Sequence, residues 1–217
     1  MRRFAAQWLA EEGQSDDYNR LAPASSFFES AFNAFIRGTL LATPTGPVAV
    51  EDLMPGDLVE TAERGAEVIL WKGNLTLYPH GPGMPGQPDG LFRLTADSLG
   101  YGRPMQDLLL GSGAEVWAPN RSRFIPAAEM LDGVSVIELA PPAPVTAYHI
   151  CLAGRRTLLA NGLAVSSYAP DEAAAQQLTP EMRALFLSLF PNLRDLEDIA
   201  ALAGSGQKAR PNGFAAA

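Results

Sequence analysis

The most reactive side chains of the sequence are the thiol of Cys151 and the imidazole of His149, which lie two residues apart in "AYHICLAG". Residues two apart on a β-strand point to the same face, so a strand here would place the two groups side by side. A histidine beside a cysteine can generate a nucleophilic thiolate, which would suit a hydrolase. The alternative interpretation makes His149 an ordinary strand residue and Cys151 a small buried apolar residue.

Metal and cofactor chemistry has few candidate residues. Cys151 is the only cysteine, and His80 and His149 are the only histidines, so we expect neither an internal disulfide nor a Cys/His zinc site. The glycine spacing of "GYGRPMQDLLLG" does not fit a dinucleotide fingerprint, and the sequence has no phosphate loop and no Gly-x-Ser-x-Gly motif. We therefore predict no cofactor and no metal.

Composition and charge limit the class of partner. The chain has 217 residues, 47% of them hydrophobic and 18% charged, which is typical of a globular protein. The net charge of -8 argues against nucleic acid and anionic lipid as partners. No apolar run reaches the ~18–20 residues of a membrane span, and the amino terminus does not read as a secretory signal. We expect a cytoplasmic protein.

Any site must be positioned by the β-rich middle of the chain. Short strand-like runs with turn signals every 8–12 residues predict an all-β domain. The expected strands include two runs on either side of Lys72-Gly73-Asn74, and others at 91–95, 107–110, 114–118, 122–126, 133–139, 145–152 and 156–165. The prolines and glycines of residues 79 to 90 predict a long exposed loop.

The flanks of this domain are predicted to be helical. Residues 3 to 12 are expected to form a helix, 13 to 24 a linker, and "FFESAFNAFI" a second helix capped by Ser25 or Ser26. Thr179-Pro180-Glu181 predicts a further helix start, with apolar residues at 182, 185, 186 and 189, and "LRDLEDIAAL" predicts one more helix. The expected organisation is residues 1–33 helical or linker, 34–170 a β domain, 171–204 a helical extension and 205–217 a disordered tail.

Three separate stretches resemble the Hint domain of hedgehog and intein proteins, in its stand-alone bacterial branch. They are "GTLLATPTGPVAVEDLMPGDLV", "LTADSLGYGRPMQDLLL" and "AYHICLAGRRTLLANGLAVSSYAP", in the family's order and spacing. The resemblance covers residues 34 to 170 and implies a pseudo-symmetric β-fold of short strands. Within the first stretch, Glu51, Asp52 and Asp57 are expected to cap turns and bond backbone amides rather than to catalyse.

The resemblance implies autoprocessing by an acyl shift, but the matching positions lack the groups that this chemistry needs. In the family a Cys or Ser attacks the carbonyl of the preceding residue, assisted by a Thr-x-x-His element. The nucleophile position falls on Ala34, four residues before Gly38. The histidine falls on Ala114, seven residues after Asp107, and the threonine falls on Gly111.

The remaining catalytic positions are also altered. The terminal His-Asn pair of inteins falls on Ser166 and Ser167, and the following nucleophile falls on Tyr168. His149 stands where inteins often carry an acid. Thr39 is a candidate for a displaced nucleophile, although the sequence supplies no histidine beside it.

Two functional hypotheses follow from these residues. In the first, the Hint fold is catalytically inactive and serves as a binding module for its own amino-terminal segment or for an unknown protein or peptide. In the second, residual autocatalytic cleavage by an N–O acyl shift occurs near residues 34–39. A Cys151/His149 hydrolase is a third, more remote hypothesis.

Overall fold

The computed structural model describes residues 1–10, 15–79, 90–169 and 177–191, and these form a mainly β protein with two antiparallel sheets. The predicted fold class is confirmed: short strands dominate, and the described α-helices are two. The helices are α1, Ser26–Ser30, and α2, Pro180–Leu187, and a single 3₁₀ turn covers Ala127–Met130.

The described residues form sixteen strands, and those of the middle region are mostly short, as the closely spaced turn signals predict. In chain order they are β1 Arg2–Leu9, β2 Ser15–Ala22, β3 Phe35–Ile36, β4 Leu40–Leu41, β5 Val48–Ala49, β6 Leu58–Thr61, β7 Gly65–Val68, β8 Trp71–Leu77, β9 Leu91–Leu94, β10 Leu108–Leu110, β11 Glu115–Ala118, β12 Arg123–Pro126, β13 Val136–Leu139, β14 Val145–Cys151, β15 Thr157–Ala160 and β16 Leu163–Ser166.

The strands combine into one sheet of order β13-β9-β10-β3-β14-β8-β1-β2 and a second of order β12-β11-β16-β15-β4-β5. Strand β6 pairs with both β15 and β7 at the side of the second sheet. Neighbours in the first sheet come from distant parts of the chain, and β14 lies between β3 and β8. The last two strands of that sheet, β1 and β2, are built from the amino-terminal segment.

The predicted amino-terminal helix and linker are wrong, because Arg2–Leu9 and Ser15–Ala22 are antiparallel strands that pair with each other, and we call this pair the amino-terminal hairpin. Strand β1 pairs with β8 in the register Phe4↔Leu75 and with β2 in the register Phe4↔Arg20. Phe4 and Trp8 are four residues apart, a spacing that places two side chains on the same face of either a helix or a strand. Tertiary pairing with β8 selects the strand. Strand β2 lies at the edge of the first sheet, where polar side chains are tolerated, and its polar sequence therefore resembles that of a linker.

The second predicted helix is real but much shorter than expected. It begins at Ser26 and ends at Ser30, and the Ser25 side chain makes no cap hydrogen bond. Phe35, expected inside this helix, lies instead in β3 and pairs with Leu110 of β10 and Tyr148 of β14. The chain therefore leaves the helix and enters the middle of the first sheet within a few residues.

Two details of the predicted strands also differ. Strand β8 runs unbroken through Lys72-Gly73-Asn74. A Cβ on Gly73 would lie 2.1 Å from the indole of Trp71 and 2.5 Å from the ring of Phe32, so this glycine makes room for aromatic packing rather than for a turn. The single run expected at 156–165 is a hairpin, turned by Asn161 and Gly162 with positive φ angles of 47° and 81°.

The buried hydrophobic residues form two clusters. We call the first the aliphatic core, drawn only from residues 34 to 165; its larger members include Leu41, Leu94, Leu108, Leu110, Val116, Ile150, Leu158 and Val165. We call the second the aromatic core, drawn from both ends of the chain as well as from β8 and β14; its larger members include Phe4, Phe28, Phe32, Trp71, Tyr168, Phe186 and Phe190.

The carboxy-terminal helix begins as predicted. The Thr179 side chain accepts a hydrogen bond from the backbone N–H of Met182, and Pro180 occupies the first turn. The predicted helix at "LRDLEDIAAL", the tail 205–217 and most of the loop 79–90 lie outside the described residues. Among the described helices none is long and apolar enough to cross a membrane.

Candidate functional site

The structure brings together the first and second motifs of the predicted site through backbone hydrogen bonds. The N–H of Ala34 donates to the carbonyl of Tyr148 at 3.0 Å, and the carbonyl of Ala34 accepts from the N–H of Gly111 at 2.8 Å. Ala114 follows in the same turn, because its N–H donates to the carbonyl of Gly111 at 3.1 Å. The methyl groups of Ala34 and Ala114 are both fully buried in the aliphatic core.

The loop Gly111-Ser112-Gly113 closes tightly on Asn33, the residue before Ala34. The N–H of Gly113 donates to the carbonyl of Asn33 at 2.7 Å, and the Asn33 side-chain amide donates to Oγ of Ser112 at 3.0 Å. A Cβ on Gly111 would lie 1.8 Å from Oδ1 of Asn33 and 2.6 Å from its backbone oxygen. The position that matches the family's threonine is therefore filled by the asparagine.

His149 lies beside this loop in a dry environment. Its Nδ1 is 3.0 Å from the carbonyl of Ser30, and its ring meets the edges of Phe35 and Tyr168 at centroid distances of 5.8 and 5.2 Å. Nε2 has no partner of normal hydrogen-bond geometry among the described residues, although the Ser166 backbone is close enough to favour the charged ring. Burial dominates and lowers the pKa of His149 to about 4, so the ring is neutral at pH 7.

Cys151 and Thr39 lack the partners that would make them nucleophiles. Burial raises the pKa of the Cys151 thiol to about 12, and its Sγ lies 3.6 Å from the carbonyl of Leu152. Thr39 is buried, and its hydroxyl donates to the carbonyl of Ile36 at 2.7 Å. That geometry fixes a turn before β4.

The residues matching the family's terminal positions are buried and bonded to structure. The hydroxyl of Ser166 donates to the carbonyl of Ser167 and accepts from Nε of Arg155, while Oγ of Ser167 accepts from the Arg156 N–H at 2.9 Å. Tyr168, at the position of the following nucleophile, stacks on Phe190 with an interplanar angle of 11°. The third motif therefore ends in the aromatic core.

Two carboxylates of the first motif bind backbone amides, as predicted. Oε2 of Glu51 accepts from the N–H of Gly38 at 2.8 Å, and Oδ2 of Asp57 accepts from the N–H of Met54 at 2.7 Å. Among the described residues, no cluster of three or more His, Cys, Asp or Glu side chains could hold a metal ion. These acids serve the turns around β5 and β6.

Asn33 is the residue of this site that the sequence reasoning missed. It stands next to the predicted nucleophile position, and glycines occupy positions 111 and 113 of the loop that would otherwise carry catalytic side chains. The two glycines of the Gly111-Ser112-Gly113 loop are the sequence signal that a neighbouring side chain occupies the space beside it. The arrangement holds the peptide bond between residues 33 and 34 at both polar groups, since its N–H donates to Tyr148 and its carbonyl accepts from Gly113.

Comparison with known proteins finds similar solved structures and a matching family model. The bacterial intein-like domain from Clostridium thermocellum is 15% identical, and the match covers 63% of this chain and 99% of that chain with a TM-score of 0.48. The gp41-1 intein is 13% identical, with 62% and 98% covered and a TM-score of 0.42. No curated protein matches the sequence significantly. The family model of the Hint domain matches residues 33–172, and the chain belongs to the Hint domain family.

Proposed function

We propose that this Hint domain does not perform the acyl shift and acts as a binding module that holds its own flanking segments. The supporting observation is the carbonyl of Leu189, which accepts hydrogen bonds from the hydroxyl of Tyr18 and, at 3.0 Å, from the indole Nε1 of Trp71. One atom of the carboxy-terminal segment thereby ties together the amino-terminal hairpin and strand β8.

The amino-terminal hairpin is held by strand addition. β1 forms an antiparallel ladder with β8 from Phe4↔Leu75 to Trp8↔Trp71, a recognition mode in which backbone hydrogen bonds supply affinity and alternate side chains supply specificity. Phe4 points into the aromatic core, where its ring meets Phe32 at 4.8 Å. The hairpin therefore occupies an edge of the Hint fold that would otherwise be open to another strand.

The carboxy-terminal helix packs into the same aromatic core. Phe186 of α2 meets Phe27 and Phe28 of α1 at 4.6 and 5.4 Å, and Phe190 stacks on Trp71 at 4.5 Å. Aromatic pairs of this kind contribute about 0.5–1.5 kcal/mol each beyond the area that they bury. The amino-terminal hairpin and the carboxy-terminal segment thus both contact strand β8.

The test is to cut the chain between the hairpin and α1 and to measure whether the hairpin stays. A site-specific protease sequence placed at residues 23–25 allows the cut after folding, and size exclusion then reports whether residues 1–22 co-elute with the remainder. We expect co-elution, and displacement by an excess of a synthetic peptide of residues 1–22. Release of the hairpin immediately after cutting would contradict the proposed binding role.

Tyr18→Phe provides the matched variant for this experiment. It keeps the ring beside Trp8, at 5.6 Å, and removes only the hydroxyl that donates to Leu189. We expect the cut hairpin to dissociate about fivefold to tenfold faster, since a net hydrogen bond contributes about 1 kcal/mol. Leu21→Ala, on the same strand, serves as the control, because the Leu21 side chain is 62% exposed.

Acyl-shift chemistry has its own readout. A displaced nucleophile at Thr39 would form an ester with the carbonyl of Gly38, and hydroxylamine would then release a fragment beginning at Thr39. We expect no such fragment, because the Thr39 hydroxyl is bonded to Ile36 and has no base beside it. If hydroxylamine produced that new amino terminus, the proposed loss of acyl-shift activity would be wrong.

A further inference from the structure

Asn33 is a buried polar residue that neither the acyl shift nor the proposed binding role uses. It is fully buried, its Nδ2 donates to Ser112, and its Oδ1 has no hydrogen-bond partner among the described residues. We propose that Asn33 slowly cleaves its own peptide bond to Ala34, using its side-chain amide as the nucleophile. This step needs no reactive group at position 34.

The reaction is intramolecular and balanced. Nδ2 of Asn33 bonds to the carbonyl carbon of the same residue, which closes a five-membered imide ring, and the bond from that carbon to the nitrogen of Ala34 breaks. One proton leaves Nδ2 and one is taken up by the Ala34 nitrogen. Residue 33 ends as a cyclic imide, Ala34 gains a free amino terminus, and no oxidant or reductant is involved. Ring closure within a single residue gains from proximity.

The carbonyl under attack is polarised by the protein. Its oxygen accepts the N–H of Gly113 at 2.7 Å, which is the placement that stabilises negative charge developing on an oxygen during attack. Glycine permits this approach, because a Cβ at position 113 would lie 2.8 Å from that same oxygen and 2.3 Å from the carbonyl of Ser30. The loop that grips Asn33 therefore also supplies an electrostatic contribution to its cleavage.

The geometry favours cleavage over deamidation, the usual competing reaction of asparagine. Deamidation requires the Ala34 nitrogen to attack the Asn33 side chain. That nitrogen is held in the sheet, since its N–H donates to Tyr148 at 3.0 Å and the next residues pair with β14. Nδ2 instead faces the hydroxyl of Ser112, which is exposed and offers its proton a path to water.

Among the described residues, the hydrogen-bond partner of the leaving nitrogen is the carbonyl of Tyr148 and not an acid, so the reaction is slow. His149 is the nearby imidazole, and burial keeps it neutral at pH 7. A missing general acid lowers a rate by about 10²–10⁴-fold. The cut is therefore expected to accumulate over prolonged incubation, and to be hidden under native conditions wherever the aromatic core keeps the two pieces together.

The test uses the full-length protein, incubated at neutral pH with protease inhibitors and analysed under denaturing conditions by intact mass and amino-terminal sequencing. We expect a fragment beginning at Ala34, and a partner fragment of residues 1–33 that is lighter by one water than the free acid. Asn33→Gln should reduce the fragment by about tenfold or more, because its amide must close a larger and slower ring. Asn33→Asp keeps the shape of the side chain and should abolish the imide.

Asn120→Gln is the matched control, since Asn120 lies in an exposed turn and should leave the cleavage unchanged. Circular dichroism establishes that each variant is folded. Absence of a cut after Asn33 on prolonged incubation overturns the proposal, and so does cutting in the Asn33→Gln or Asn33→Asp variant that equals cutting in the unaltered protein. Neither result affects the binding role, whose test concerns the retention of a hairpin cut elsewhere.

Discussion

The two hydrophobic cores of this protein differ in where their residues come from. The aliphatic core is complete within residues 34 to 165, which lie inside the Hint domain match. The aromatic core joins residues 4 to 36 and 168 to 190 to strands β8 and β14. Residue 32 belongs to the aromatic core and residue 34 to the aliphatic core, and the polar Asn33 lies between them.

This difference separates a core built entirely inside the Hint domain match from a core that the flanking segments help to complete. The aliphatic core takes none of its buried members from the flanks. The aromatic core takes members from both flanks as well as from β8 and β14, so it is complete only when both flanks are in place. The flanks are therefore coupled to each other, and damage to either one should be felt by both.

The largest expected effect is from Phe190→Ala. Phe190 is fully buried and stacks on Trp71 at 4.5 Å and on Tyr168 at 5.7 Å, so truncation should lower the free energy of unfolding by about 3–5 kcal/mol. Denaturant titration measures the loss. Hydrogen exchange should show protection lost in β1 and β2, although neither strand is mutated.

The control for that variant is Val134→Ala, because Val134 is 79% exposed and should change stability by less than about 0.5 kcal/mol. Unchanged protection of β1 in Phe190→Ala would show that the two flanks are independent. Loss of protection in β15 and β16 to the same extent would show that the two cores unfold as one.

The second prediction concerns His149, which lies where the two cores meet. Its pKa is about 4 in the folded protein and 6.5 in the reference state, so the unfolded chain binds more protons between these values. Stability is therefore fully present above pH 6.5 and falls as the pH drops toward 4. The shift corresponds to about 3 kcal/mol, since each pKa unit is about 1.4 kcal/mol.

Unfolding titrations at a series of pH values check this dependence. His149→Phe should flatten the profile between pH 6.5 and 4, because phenylalanine keeps an aromatic ring beside Phe35 and Tyr168 and binds no proton. His80→Gln changes the other histidine and is the control. A profile that keeps its slope in His149→Phe would assign the acid sensitivity to other groups.

The sequence predicted the Hint region well because its short strands are signalled locally. The strands from β9 to β14 contain apolar residues and are bounded by turn residues, and the three motifs set the order of the strands. The break expected at Lys72-Gly73-Asn74 failed because glycine is a turn residue in isolation. Only the packed indole of Trp71 reveals that the missing Cβ is needed for space.

The flanks were mispredicted for a different physical reason. β1 is a strand because β8 offers it a hydrogen-bonding edge about seventy residues away in sequence, and no local pattern reports that edge. The stretch "RFAAQWLAEE" is rich in strong helix formers, so pairing with β8 overrides its local propensity. Helix α2, by contrast, carries its own cap and was placed correctly.

The motifs located the candidate site, but they did not predict that the Asn33 side chain fills it. Ala34, Gly111 and Ala114 do meet, as the motif spacing implies. The tight fit of Asn33 against Gly111 and Gly113 is a contact between segments that are 78 and 80 residues apart, and it became apparent only from the structure.

The third prediction tests that fit directly. Gly111→Ala places a Cβ 1.8 Å from Oδ1 and 2.6 Å from the backbone oxygen of Asn33, so it should lower stability by about 1–3 kcal/mol through overpacking. Asn33→Ala removes the side-chain part of the clash, and the double variant should recover part of the loss. Strict additivity of the two single changes would show that the residues do not compete for the same space.

The smallest expected effect is from Thr179→Ala at the start of α2. The Thr179 hydroxyl accepts the N–H of Met182 at 3.3 Å, and losing such a cap costs about 0.5–1 kcal/mol. Thr179→Ser keeps the acceptor and should restore most of that stability. Because Phe186 of the same helix contacts Phe27 and Phe28, a frayed helix should raise hydrogen exchange slightly in α1 while leaving β15 and β16 unaffected. Faster exchange confined to α2 would mean that this helix does not stabilise α1, and that the two flanks are coupled through Phe190 and Leu189 instead.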